Sequence, residues 1–128
     1  MLPKVFKATV RQHLFIGISN CCRATLMSET LDRYVTHKEF MGIIQQFAEL
    51  HGWMVYFTWQ SKHSPAGYPD LTMVRERDKR LITAEVKTVK DKPTIQQEEW
   101  LRILRAVNCS EVYLWYPKDW DDIEKVLK

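Results

Sequence analysis

The sequence predicts an α/β domain, and three observations carry that prediction. Apolar residues recur at helical spacing from Phe40 to Ala48 and again from Trp100 to Val107. Short segments rich in β-branched and aromatic residues lie between and after those stripes. Taken along the chain, the order is helix, three strands, helix, strand, helix, which is an α/β arrangement. At 128 residues and 45% hydrophobic content, the chain fits one domain with a sizeable core.

Residues 1–27 differ from the rest. They carry Lys4, Lys7, Arg11 and Arg23 and no acid, so they are expected to form a basic, weakly ordered extension, with the functional domain running over residues 28–128. The first helix begins at Thr36. Phe40, Ile43, Ile44, Phe47 and Ala48 form its apolar stripe, and Gly52 closes it. Thr36 and Glu39 have the spacing of a capping box. The segment from Trp53 to Trp59 reads as the first strand, and the loop that follows, rich in proline and glycine, leads to Asp70. Within that loop Lys62, His63 and Ser64 could hold nucleic-acid phosphates, and Gly67 allows the backbone to approach a ligand closely.

Two strands around the charged tip from Arg75 to Arg80 form a predicted hairpin. Centring the tip between Arg77 and Asp78 places Val74 opposite Leu81, Thr72 opposite Thr83 and Asp70 opposite Glu85. Leu81, Thr83, Glu85 and Lys87 then share one face, while Ile82, Ala84 and Val86 point into the core. One face is core and the other carries charge. Facing carboxylates repel, so either one of them is protonated or a hard divalent metal sits between them. Asp, Glu and Lys around Mg²⁺ is the chemistry of phosphodiester hydrolysis, with the lysine orienting water and offsetting developing charge. The spacing alone is weak, because surface hairpins produce it by chance.

Past the hairpin, Thr88 to Pro93 is a basic linker carrying Lys90 and Lys92. A helix is predicted from Thr94 to Val107, with Gln97, Trp100, Leu101, Leu104 and Val107 on one face. Gln97 is the polar member of that stripe, so it points toward the sheet and the charged cluster. Thr94 and Gln97 also have capping-box spacing. Glu111 to Tyr116 is a further strand, Pro117 breaks it, and Asp119 caps a last helix in which Trp120, Ile123 and Leu127 pack.

These residues carry a resemblance. Pro69-Asp70 followed by Glu85-x-Lys87 resembles the signature of the PD-(D/E)XK nuclease superfamily. The wider frame resembles its virus-type replication-repair nuclease (VRR-NUC) branch over roughly residues 36–128: Gly52-Trp53, Ser64 to Leu71, Ala84 to Lys87, Gln97-x-x-Trp100-Leu101 and Val112 to Pro117. Phe57, Val86 and Asn108 depart from that frame without removing a presumed metal ligand.

The resemblance implies the restriction-endonuclease-like fold, with a central mixed sheet flanked by helices. It implies a Mg²⁺- or Mn²⁺-dependent endonuclease acting on DNA, specific for junctions or flaps in phage-type replication and repair, in some relatives as a homodimer. Asp70, Glu85 and the backbone carbonyl of Val86 would ligate metal, and Lys87 would position the attacking water. Glu39 would be the helix-borne acid that completes the site, although its capping role explains it equally well. Gln97 joins the catalytic candidates, and Lys62, His63, Ser64, Gly67 and Lys90 the DNA-binding ones. The alternative from another class is a non-catalytic DNA-binding or recruitment module of the same fold.

Composition adds limits. The net charge of +3 is mild and resides in the N-terminal extension, so any nucleic-acid surface on the folded part must be a local patch. Three cysteines, Cys21, Cys22 and Cys109, form no C-x-x-C pair, which argues against a disulfide framework or structural zinc and favours a reducing, cytoplasmic setting. No apolar run approaches the ~18 residues that a membrane span needs, and no motif for a small-molecule cofactor is present.

Overall fold

The protein is described here by a computed structural model over residues 35–58 and 62–128. The elements are α1 (His37–Leu50), β1 (Met54–Phe57), β2 (Leu71–Arg75), β3 (Arg80–Val86), α2 (Ile95–Val107), β4 (Glu111–Trp115) and α3 (Trp120–Leu127). Single 3₁₀ turns at Glu76–Asp78 and Pro117–Asp119 link β2 to β3 and β4 to α3. The predicted extension, residues 1–27, and its boundary at residue 28 lie outside the described residues, as does Trp59, the expected end of the first strand.

The four strands form one mixed sheet in the order β1-β2-β3-β4. The first three are antiparallel, while β4 runs parallel to β3 and is reached through α2, because two parallel neighbours need a crossover connection. The hairpin has the expected register: Val74 pairs with Leu81 and Thr72 with Thr83. Its tip is tightened by the 3₁₀ turn and by Lys79 in the left-handed region at φ 57°.

One face of the sheet packs against α1 and α3. Phe40, Ile44 and Ala48 from α1 and Trp120, Ile123 and Leu127 from α3 meet Leu71, Met73, Ile82, Ala84, Val86 and Trp115, all buried. These are the stripes and the strand face that the apolar periodicity marks. The opposite face is covered at β3. Thr83 and Glu85 are buried there, Thr83 bonded to Ser110 and Glu85 beneath α2, whose Gln97 bonds it, as the inward-facing stripe of that helix implies. β3 is therefore covered on both faces, and a charged residue on it is a buried charge.

Helix ends follow local rules closely. At α1, the Thr36 hydroxyl accepts from the Glu39 N–H at 3.3 Å and the Glu39 carboxylate accepts from the Thr36 N–H at 3.0 Å. At α2, Thr94 and Gln97 make the same reciprocal pair. Asn108 ends α2 at φ 56°, a left-handed conformation that asparagine tolerates. Val107, assigned to the inward stripe, is exposed, since α2 ends there and leaves the sheet. Asp119 makes no side-chain cap on α3; its carboxylate accepts instead from the Tyr116 N–H at 2.9 Å and closes the preceding turn.

Candidate functional site

The site lies where β2 and β3 stop pairing. Asp70 immediately precedes β2, and its main-chain carbonyl accepts from the Thr58 N–H at 3.2 Å. The Asp70 carboxylate reaches across the hairpin and accepts from the Val86 N–H at 3.0 Å. On the other side of β3, the Lys87 N–H donates to the Trp115 carbonyl at 2.9 Å. The ends of four strands are thereby fixed to one another, and the side chains of Asp70, Glu85 and Lys87 are fixed with them.

Glu85 is fully buried. Its Oε1 accepts from Lys87 Nζ at 2.9 Å and from Gln97 Nε2 at 2.5 Å. Its Oε2 is buried with no hydrogen-bond partner among the described residues. Burial pushes the Glu85 carboxyl above its ordinary value; the bond from Lys87 opposes that and the charge of Asp70 adds to it. An unpartnered buried carboxylate oxygen costs free energy, and a cation would remove that cost.

Gln97 fills both roles that its position allows. Its Oε1 accepts from the Thr94 N–H at 2.8 Å, completing the capping box, while its Nε2 donates to Glu85. An amide can do so because it carries an acceptor and a donor on one planar group.

Glu39 does not join this cluster. Its carboxylate is held by the Thr36 N–H and hydroxyl, at 3.0 and 2.8 Å, and those bonds keep it below the usual carboxylate range. The helix-borne group at the site is His37, two residues earlier. Its Nε2 lies 3.2 Å from Asp70 Oδ2 and 3.0 Å from the Val86 carbonyl oxygen. The bond to Asp70 raises the imidazole above its ordinary value, against the effect of burial.

The donor set fits a hard divalent ion. Two carboxylates and the Val86 carbonyl supply oxygen, one carboxylate oxygen lacks any partner, and Lys87 stands beside them. Among the described residues, no three His, Cys, Asp or Glu side chains form a ready-made cage. Mg²⁺ does not require one, since it is commonly held by one or two carboxylates, waters and substrate phosphate.

The sequence pattern of the VRR-NUC domain matches residues 20–114. The chain belongs to the VRR-NUC family. A solved structure described as a VRR-NUC domain shares the fold, with a TM-score of 0.51 and 22% identity, covering 66% of this chain and 92% of that one. Comparison with curated protein sequences finds no match. The mixed four-stranded sheet with its three described helices is the nuclease-like fold of that family, and membership makes this a nuclease-type domain.

Around the VRR-NUC site, Lys62, His63 and Ser64 are exposed on the loop that leads to Asp70, and Lys90 is exposed on the turn after Lys87. Gly67 has a packing reason for being glycine. It sits at φ 98°, and a Cβ there would come within 2.7 Å of the Gln96 backbone in the first turn of α2. Next to it, Tyr68 meets the Trp100 ring edge-on at 5.3 Å. The loop is thus docked on the helix that carries Gln97. No helix among the described residues is long and apolar enough to cross a membrane.

Proposed function

We propose that this VRR-NUC domain is a Mg²⁺- or Mn²⁺-dependent endonuclease that hydrolyses DNA phosphodiester bonds, acting on junction or flap structures in phage-type replication or repair. The observation that supports it most is Glu85, a fully buried carboxylate with one oxygen lacking a partner, beside Asp70 and Lys87. Such an arrangement weakens the fold unless a cation completes it.

Asp70, Glu85 and the Val86 carbonyl would hold the ion, which when bound supplies Lewis-acid polarisation of the scissile phosphate and of water. Lys87 spends one of its three N–H donors on Glu85 Oε1 and keeps donor capacity for a water or a phosphate oxygen. Held there, it orients the attacking water. It also offsets the charge that builds on the phosphate oxygens as the new P–O bond forms and the leaving P–O bond breaks. Gln97 keeps Glu85 oriented by its 2.5 Å bond. Lys62, His63, Ser64 and Lys90 would contact backbone phosphates, which position DNA without reading its sequence, and the backbone at Gly67 would complete that surface.

Linear duplex, flap, splayed and four-way junction DNA, each incubated with Mg²⁺ and with EDTA, test this reading. Cleavage is expected with metal on at least one branched substrate, none with EDTA, and none with Asp70→Ala. The ion should raise the melting temperature of the native protein, by the equivalent of ~2.7 kcal/mol at a hundred times its dissociation constant, and should leave Asp70→Ala unmoved. Tight DNA binding without cleavage in either metal would leave a recruitment module and end the enzymatic reading.

A further inference from the structure

His37 opens α1, where the partial positive charge of the helix terminus favours anions. An imidazole brings no negative charge to that position, and capping does not use it. Its ring is placed by the site instead. Nε2 contacts Asp70 Oδ2 at 3.2 Å and the Val86 carbonyl at 3.0 Å, and the side chain remains 40% exposed, within reach of an ion from solvent.

Those two oxygens are the ones assigned above to the metal, and the following inference rests on that assignment. Ligand atoms on adjacent corners of an octahedron with ~2.1 Å metal–ligand distances lie ~3.0 Å apart. Nε2 stands at about that spacing from each oxygen, so it already has the separation of a neighbouring ligand from both. We propose that His37 is a nitrogen ligand of the divalent metal and that it biases this site toward Mn²⁺ over Mg²⁺. Coordination uses the Nε2 lone pair, so the proton that bonds Asp70 and Val86 in the metal-free form leaves Nε2, for Nδ1 or for solvent. The bias follows from the ligand chemistry. Mg²⁺ is satisfied by oxygen, while imidazole favours first-row transition ions, of which Mn²⁺ also accepts carboxylate and carbonyl oxygen.

Metal titrations followed by thermal shift, with no nucleic acid present, test the proposal on the wild type, His37→Ala and His37→Glu. In the wild type, half-saturation is expected at a Mn²⁺ concentration at least tenfold below that for Mg²⁺. In His37→Ala the Mn²⁺ requirement should rise about tenfold and the Mg²⁺ requirement much less; His37→Glu should narrow the gap between the ions. Pulsed electron paramagnetic resonance of the Mn²⁺ complex should show coupling to an imidazole nitrogen in the wild type that is lost in His37→Ala. If His37→Ala binds Mn²⁺ as tightly or more tightly, the histidine merely occupies the place of the ion and the proposal is overturned. Equal losses for both ions, or no nitrogen coupling, overturn it too. A wild type that responds to neither ion would refute the metal site itself, a result distinct from any of these.

Discussion

Replacing Gln97 by glutamate separates the two ends of this side chain. A carboxylate can still accept from the Thr94 N–H, so the capping box survives, but it cannot donate to Glu85, whose Oε1 lies 2.5 Å from the present amide nitrogen. Two carboxylates ~4 Å apart repel by ~4 kcal/mol at an effective dielectric of about 20. Protonating one of them restores a bond, and from an ordinary value of 4.5 that costs ~4 kcal/mol at pH 7.5 and ~0.7 kcal/mol at pH 5. The folded-state pKa of the pair is raised above its unfolded value. Variant stability is therefore fully present below the unfolded value and is lost as pH rises through the folded one. For a domain of this size the melting temperature should fall by ~15 °C or more at pH 7.5 and by only a few degrees at pH 5. Single-turnover cleavage should drop tenfold or more, ~1.4 kcal/mol of barrier. Thermal melts at both pH values, with cleavage on the same preparation, provide the measurement. An unchanged midpoint at pH 7.5, or a loss of equal size at both values, would refute the reasoning and return Gln97 to a helix cap.

Three further outcomes follow from the same geometry. Glu85→Gln keeps an acceptor for Lys87 and removes the buried charge, so in EDTA it should melt above the wild type, by a margin that widens as pH rises through the elevated Glu85 value, while the metal-induced shift disappears. Gly67→Ala meets the Gln96 backbone at 2.7 Å with φ at 98° and should lower stability by ~3 kcal/mol, on the order of 10 °C, in thermal melts. Glu39→Ala should lose only its half of the capping box, ~1 kcal/mol in urea unfolding, with the metal-induced shift and cleavage retained.

What could be read from the sequence is what depends on neighbours in sequence. The hairpin register was legible because a charged tip and a period of two fix the pairing, and both capping boxes because they span four residues. The full burial of Glu85 was not, since α2, which carries its partner Gln97, reaches it through a crossover. His37 escaped because its partners are 33 and 49 residues away, and because Glu39, two residues on, offers both an acid and a capping box. One signal pointed to His37: a potentially cationic ring in the first helical turn, where the macrodipole disfavours it. In the sequence Gly67 makes room for a ligand, whereas in the fold its nearest neighbour is a helix almost thirty residues onward.

The proline before Asp70 explains why the site stands where it does. In the hairpin, Ala84 pairs with Leu71 and Ile82 with Met73, and the same register continued by two residues sets Val86 opposite Pro69. Proline has no N–H to give, so the Val86 carbonyl lacks its ladder donor. Asp70 accepts the Val86 N–H through its side chain instead, and the strands part at that point. β3 is not left loose, because Lys87 continues the ladder onto β4. One carbonyl and one aspartate are thus released from regular sheet pairing while the main chain beneath them stays rigid. Buried main-chain polar groups must find partners. The interruption therefore creates a demand that His37 meets here, and that a bound divalent ion would meet with greater charge.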